Sequence, residues 1–362
     1  MSDIFKHSHF EADAFGHGGN KRTAQIDEIL KDAGLTYKEP DFSNSAVITN
    51  KLPVYLKGLQ YTKHLPTANK NKYAIGRYLK MFEAFVKKQK PGLVIWESTV
   101  GYNLLLAEIL YKHHVPVVAL PHNIESLVAG SKSVFSSKES PNWLMEELKY
   151  LGYCKKTFTI SREENWLLSN TGINSDYLPY YPAKKTEEYL LAIRAQKQTS
   201  YTAPQTAKEI LLLGTYYNKP TLDGYVELLN YIRQKTSLVI NVVGFGSEQL
   251  NNMFPDKNIR IWGSVNEEKL ASLVAICDYG VVHQAPSSGA LTRIPEMLLA
   301  GLPLLTNTHA ARSYFGTAGL GVYQSFEELL DMLHTQRPEI APVPVRPVEE
   351  KHFADYIRTL LH

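Results

Sequence analysis

Residues 285–307, APSSGALTRIPEMLLAGLPLLTN, join a turn of small residues to a helical stretch, a combination that suits an anion. Ser287, Ser288, Gly289 and Ala290 would open a helix near Leu291 to Ala300. The first backbone N–H groups of such a helix lack intrahelical partners and carry the positive end of its dipole, so they can hold a diphosphate. Gly289 permits close approach of the backbone, Arg293 adds a cation, and Glu296 lies a further turn along, able to accept hydrogen bonds from a diol. A phosphate at the turn and a ribose at the glutamate would make a nucleoside diphosphate. The same residues fit an ordinary capped helix with Arg293 and Glu296 facing solvent, and the segment alone leaves both readings open.

Other chemistries find less support. No paired-aspartate motif suggests a metal, and no two opposed acids at strand ends suggest a hydrolase. Cys154 and Cys277 have no neighbouring Cys or His at metal spacing and are expected to be buried thiols.

In open α/β sheets, ligands bind outside the carboxyl ends of strands, so the strands decide where these residues point. The chain alternates short aliphatic runs with helical stretches, the pattern of a parallel sheet. In the first half the expected strands are DIFKHSHF, GLVIWES (Gly92 to Ser98), VPVVALPHN (Val115 to Asn123) and KKTFTIS (Lys155 to Ser161). Helices are expected from Tyr102 to His113, around Trp143 to Tyr150, and after Ser161, with Ser161 as N-cap and Gly172 as stop. Pro179 and Pro182 close this half, placing the boundary near Pro182, and the polar stretch Lys184 to Lys208 reads as a separator.

The second half repeats the alternation. Strands are expected at EILLLG (Glu209 to Gly214), SLVINVVG, IRIWG, YGVVHQ and LPLLTN, with helices at Gly224 to Lys235, Glu267 to Ile276 and near Leu291 to Ala300. A proline-rich connector, Pro338 to Pro347, leads to a last helix, Val348 to Leu361. The expectation is an α/β chain with an N-terminal domain over 1–182, completed by 348–362, and a C-terminal domain over 183–347.

The chain has 362 residues, 44% hydrophobic and 21% charged, with a mean hydropathy of −0.23, which excludes fibrous, disordered and disulfide-scaffold classes. It lacks an apolar run long enough to span a bilayer and an N-terminal apolar signal core, so a cytoplasmic location is expected. The net charge of +3 is uneven: residues 51–90 hold ten Lys or Arg against Glu83 alone, a local balance of +9. Within them, Ile75, Leu79, Phe82 and Val86 recur at helical spacing with cations between. This helix is either packed on the core with a solvated face, or a face for an anionic membrane or acidic acceptor. No recognition motif accompanies the charge, so nucleic acid is not an expected partner.

SSGALTRIPEMLLAGLPLLTN resembles the donor-site signature of the retaining GT-B glycosyltransferases, family 4 in particular. PHNIES resembles that family's His-Asn-x-Glu stretch, and KKTFTISREENWLLSNTGI its strand-serine-glutamate-helix segment. ILLLGTYYNKPTLDG, INVVGFGSEQ and IRIWGSVNEEKLASLVAICDYGVVHQ follow in its usual order, and HGGNKR resembles its double-glycine loop. The likeness covers nearly the whole chain, most strongly from Val115 to Asn307.

The resemblance implies two Rossmann-like parallel-sheet domains facing across a cleft, with the last helix returning to the first domain. It implies transfer of a sugar from a nucleoside-diphosphate sugar to a glycan, glycolipid or other acceptor, as in polysaccharide biosynthesis, with retention and with neither metal nor cofactor. Glu296 would grip the ribose, and Ser287 to Leu291 would hold the pyrophosphate. Gly18, Gly19, Gly214 and Lys219 would line the donor site, and His122, with Asn123 beside it, would contact the sugar. Glu125 stands beside them, where it or Asn123 could instead cap the following turn. The arginine often found near Thr215 is absent, and Arg293 would stand in for it. Ser288 occupies the place, eight residues before Glu296, of the family's first glutamate. That departure favours one alternative, a catalytically silent glycosyltransferase-like binding protein; the other alternative is a nucleotide-sugar 2-epimerase on the same architecture. Residues 51–90 would dock the enzyme on the inner face of a membrane.

Overall fold

The computed structural model describes residues 3–42, 51–64, 67, 69–128, 130–135, 143–200, 206–336 and 338–361. The end of the polar separator, 201–205, lies outside them. The chain divides into two units, one of Met1–Ala12, Ile26–Pro179 and Val348–His362, the other of Asp13–Gln25 and Tyr180–Pro347.

The first unit is built on a parallel sheet in the order β1 (Ile4–His7), β2 (Leu93–Trp96), β3 (Val117–Ala119), β4 (Lys156–Thr159) and β5 (Ser175–Tyr177). Parallel strands require crossovers, and helices supply them: α1 (Gly18–Asp32), α2 (Lys51–Tyr61), α3 (Asn69–Gln89), α4 (Leu105–Lys112), α5 (Trp143–Leu151) and α6 (Arg162–Asn170). The sheet's inner strands β2 and β3 are covered on both faces and are apolar throughout, whereas β4 (Lys-Thr-Phe-Thr) and the edge strand β5 (Ser-Asp-Tyr) carry polar residues. In β2, Leu93 and Ile95 pack with Ile26, Ile29 and Leu30 of α1, while Val94 and Trp96 join Ile75, Phe82 and Phe85 of α3. Ser161 caps α6 by accepting from the Glu164 N–H, and Gly172 follows at φ +81°. The helix expected from Tyr102 divides into a 3-10 turn, Gly101–Leu104, and α4.

Helix α3 settles the first ambiguity of the basic segment. Ile75, Leu79, Phe82 and Val86 all lie in the core, each contributing about 1.5–3 kcal/mol of burial. Its apolar stripe is therefore not a free face. Helix α2, unforeseen in the sequence, packs on α3 through glycine. A Cβ on Gly58 would stand 1.7 Å from the Lys72 carbonyl oxygen, and one on Gly76 would stand 1.9 Å from that of Val54.

The second unit has a parallel sheet in the order β11, β10, β9, β6, β7, β8: Leu320–Tyr323, Leu304–Asn307, Tyr279–Val282, Glu209–Leu213, Val239–Val243 and Ile259–Gly263. The winding reverses beside β6, which pairs with β7 on one side and β9 on the other. The helices are α7 (Lys184–Ser200), α8 (Lys219–Ile232), α9 (Glu267–Ile276), α10 (Arg293–Leu299), α11 (Thr308–Ala311) and α12 (Phe326–Thr335). Helix α8 starts five residues before the expected Gly224, because Asn218 caps it through the Thr221 N–H and Pro220 suits its first turn.

Helix α7 corrects the expected separator at Lys184–Lys208. Thr186, Leu190, Ile193, Arg194 and Lys197 form its buried stripe at helical spacing, but three of the five are polar, which hid the pattern. Lys197 donates to the carbonyls of Val274 (3.0 Å), Ala275 (3.2 Å) and Cys277 at the end of α9, and Arg194 donates to that of Leu298 (3.0 Å) in α10. Both cations donate to carbonyls at helix C-termini, where the dipole favours positive charge.

The last helix, α13 (Glu349–Thr359), buries Phe353, Ala354 and Ile357 against Ile26, Ile29 and Phe158 within the first unit. Residues 13–25, assigned above to the N-terminal domain, lie in the second unit, where Thr186 donates to the Ala14 carbonyl (2.6 Å) and Phe15 meets Tyr189. Both cysteines are free: Cys277 is buried, whereas Cys154 is only half-buried. No described helix is long and apolar enough to cross a membrane.

The α2–α3 contact is testable. Gly58→Ala has no room for its methyl and should lower stability by about 1–3 kcal/mol. Gln60→Ala, on the exposed side of α2, should stay within about 0.5 kcal/mol in the same denaturant titration.

Candidate functional site

The reversal beside β6 is where an open sheet leaves a crevice at its carboxyl edge, and polar residues converge there. Gly214 follows β6 directly. A Cβ on it would stand 2.8 Å from Thr221 Cγ2 and 3.7 Å from an Arg293 guanidinium nitrogen. Gly244, just after β7 with φ +130°, would drive a Cβ to 1.8 Å from the Gly214 carbonyl oxygen, so the two strand ends approach closely only because residue 244 is glycine. Arg293 donates to Gln284 Oε1 (2.9 Å), which also accepts from Thr221 Oγ1 (3.1 Å). Asn307, the last residue of β10, fixes the Gln284 backbone by bonding both its N–H and its carbonyl.

Helix α10 begins at Arg293, two residues after the expected Leu291, so Leu291 joins Ser287, Ser288, Gly289 and Ala290 in the turn outside it. Gly289 has φ +74°, which favours glycine. Arg312 bonds its carbonyl, and Tyr314 bonds that of Leu291 (3.0 Å). Arg293 is therefore the first residue of the helix, and its guanidinium is turned toward Gln284 and the end of β6.

Glu296, three residues along α10, is buried rather than facing solvent. Tyr180 donates to its Oε1 (2.7 Å) and Lys21 pairs with its Oε2 (2.7 Å). Burial and the adjacent carboxylate push the Tyr180 phenol far above its usual range. Lys21 arrives on the first turn of α1, which also carries Gly18 and Gly19. A Cβ on Gly18 would stand 3.1 Å from Thr292 Oγ1, and the Gly19 N–H donates to His17 Nδ1 (3.1 Å). The structure thus brings the double glycine to the start of α10. Neither Lys21 nor Tyr180 was singled out in the sequence; Lys21 lies two residues after Gly19, the one signal available.

Lys219 stands apart from this group. Its ammonium is 80% exposed and pairs with Asp223 on its own helix (2.7 Å). Tyr217 and Phe245, after β6 and β7, expose 66% and 61% of their surface with ring centroids 4.7 Å apart and ring planes 54° apart, an exposed aromatic pair the sequence reading missed.

His122 belongs to the first unit, in the loop after β3. Its Nε2 lies 3.6 Å from Glu97 Oε2, an ion-pair distance rather than a hydrogen bond, and its ring meets the edge of Phe10. Glu97, at the end of β2, is fully buried with Lys6 at 2.9 Å and Ser8 donating at 2.9 Å. Burial opposes its charge, but His122 and Lys6 outweigh it and lower the carboxyl to about 2. Asn123 donates to Glu125 (2.9 Å). The turn after them is held instead by Glu147, which accepts from the Glu125 and Ser126 N–H groups (2.9 and 2.8 Å) and whose own carboxyl burial pushes up to about 7. Among the described residues, no group of three or more His, Cys, Asp or Glu could hold a metal ion.

Two measurements check this geometry. Lys21→Met strips a buried carboxylate of its cation and should cost about 1–3 kcal/mol in urea unfolding. His7, the last residue of β1, is held down to about 4 by burial. Below pH 6.5 the unfolded chain protonates this residue and the folded one does not, so stability should fall from pH 6.5 to about 4, by up to about 1.4 kcal/mol per pH unit. His7→Gln should flatten that part of the pH profile.

No family model matches the chain, and no curated protein matches it in sequence. Solved structures do. The sucrose-phosphate synthase of Thermosynechococcus elongatus is 13% identical, with a TM-score of 0.59 over 91% of this chain and 87% of its own. Anabaena HepE in complex with UDP is 12% identical, with a TM-score of 0.59 over 99% of this chain and 100% of its own. The UDP-GlcNAc 2-epimerase of Methanocaldococcus jannaschii is 14% identical, with a TM-score of 0.53 over 99% of both chains. With two all-parallel sheets flanked by helices, the chain has the α/β GT-B fold.

Proposed function

We propose that this protein is a glycosyltransferase that takes its sugar from a nucleoside-diphosphate sugar. One observation carries the reading: Arg293, Gln284 and Gly214 converge at the carboxyl ends of β6 and β9, with the buried Glu296 three residues along α10. In it, Glu296 accepts from the ribose hydroxyls, and the turn Ser287–Leu291 with Arg293 receives the diphosphate. Tyr217 and Phe245 offer a face on which a base stacks. Anabaena HepE has been solved with UDP and with UDP-glucose, which makes UDP the first nucleotide to test.

The chemistry asked of these residues is electrostatic. The bond from the sugar's anomeric carbon to the diphosphate breaks, the acceptor hydroxyl forms the new bond, and its proton passes to the leaving diphosphate. Arg293 and the turn amides stabilise the charge that develops on that leaving group. His122 is assigned to the transferred sugar. Front-side attack with retention and transfer without a metal complete the proposal, with a glycan or glycolipid as acceptor. The 2-epimerase is the second reading, supported by the fold shared with the Methanocaldococcus enzyme. It would break and re-form the bond to the nucleotide with no acceptor.

Thermal unfolding with UDP, GDP, ADP, dTDP and CMP is the test. A bound nucleotide at a hundred times its dissociation constant should stabilise the fold by about 2.7 kcal/mol. Glu296→Gln, which keeps an acceptor for Tyr180, should weaken that nucleotide by about tenfold, or about 1.4 kcal/mol. With the matching nucleotide sugar, diphosphate release that depends on an acceptor supports the transferase, and epimerised product without acceptor supports the epimerase. Absence of binding by any nucleotide would overturn both and leave a silent binding protein.

A further inference from the structure

We propose that the outer face of α2 docks on an anionic lipid bilayer. The proposal rests on the geometry of α2 and is independent of the sugar-transfer reading. Helix α2 is fixed on α3 by Val54 and Gly58, both buried. At 100° per residue, Leu52, Leu56 and Leu59 fall within about 60° of arc on the side away from that contact. Their exposures are 64%, 51% and 40%, whereas the leucines of α4 are fully buried, so α2 carries an aliphatic stripe directed outward.

The segment that carries that stripe is cationic. Lys51 begins the helix and Lys63 follows its end, and Lys70 and Arg77 are exposed on α3. The only acid between residues 51 and 90 is Glu83, and it is already paired with Lys57, so no carboxylate of the segment remains to offset the other cations. Exposed leucines on a segment this rich in lysine match the boundary between acyl chains and anionic headgroups, where leucine enters the apolar layer and lysine stays at the phosphates. Two other occupants fit less well. A second copy docked about a two-fold axis would set this cationic patch against itself. A nucleic acid would reward aromatic stacking and base contacts rather than leucine.

The test is sedimentation of the full chain with vesicles of phosphatidylcholine mixed with phosphatidylglycerol, and with phosphatidylcholine alone, at low and high salt. Binding should need the anionic lipid, weaken with salt, and resist inorganic phosphate at matched ionic strength. Leu56→Gln with Leu59→Gln, and separately Lys51→Gln with Lys63→Gln and Lys70→Gln, should each reduce bound protein by about tenfold. These positions are exposed, so thermal unfolding should not change, and nucleotide binding should match the unaltered chain. Equal binding to both vesicle types, no binding at low salt, or variants that bind like the parent would each overturn the proposal. So would a dimer in light scattering that the leucine substitutions dissociate, because it would assign the stripe to a second copy.

Discussion

An ionised group taken out of water must be matched by donors, and Glu296 obtains its two from distant parts of the sequence. Lys21 is 275 residues away and Tyr180 is 116 away, yet both meet the carboxylate at 2.7 Å. Leaving either oxygen bare in a buried setting would be costly, so the carboxylate helps to fix what surrounds it. The first turn of α1 and the double glycine are held at the start of α10, and residues 13–25 lie in the second unit although the strands before and after them belong to the first. The same carboxylate that a ribose would need is thus part of the scaffold of its unit.

Buried charge elsewhere in the molecule serves the backbone. In the second unit, Arg194 and Lys197 of α7 supply donors to carbonyls at the ends of α10 and α9. In the first, Glu147 and Glu164 supply acceptors to the N–H groups of residues 124–126, the loop that follows His122. Each pairing satisfies groups that regular structure leaves open, at the desolvation cost of one charged side chain. That cost is visible in Lys197, whose ammonium burial depresses to about 8. The loops carrying candidate functional residues are consequently tied to neighbouring helices.

Much of the fold was legible because it is written in local patterns. The short apolar run Leu93–Trp96, too short for a helix and bounded by Pro91–Gly92, reads as a strand covered on both faces, and Ser161 marks a helix start by its own hydrogen bond. Glu267–Ile276 is bounded as expected, because Asn266 is a cap readable from residue type alone. Helix α7 was hidden since its inward stripe is mostly polar, and α2 since its leucines face outward while a glycine faces inward. In both, the usual relation between apolarity and burial is reversed by a tertiary contact.

The candidate site divides in the same way. Residue type and spacing by themselves determined the parallel α/β architecture, the glycine turn, and the presence of Arg293 and Glu296 three residues apart. The tertiary structure alone decided that the helix starts at Arg293, that Glu296 is buried against Lys21 and Tyr180, that Lys219 turns to Asp223, and that Glu97 lies beside His122. The physical reason is the range of the forces involved. Strand and helix formation depend on neighbours within a few residues, whereas the partner of a buried charge is whichever donor the packing of distant segments brings within hydrogen-bond reach.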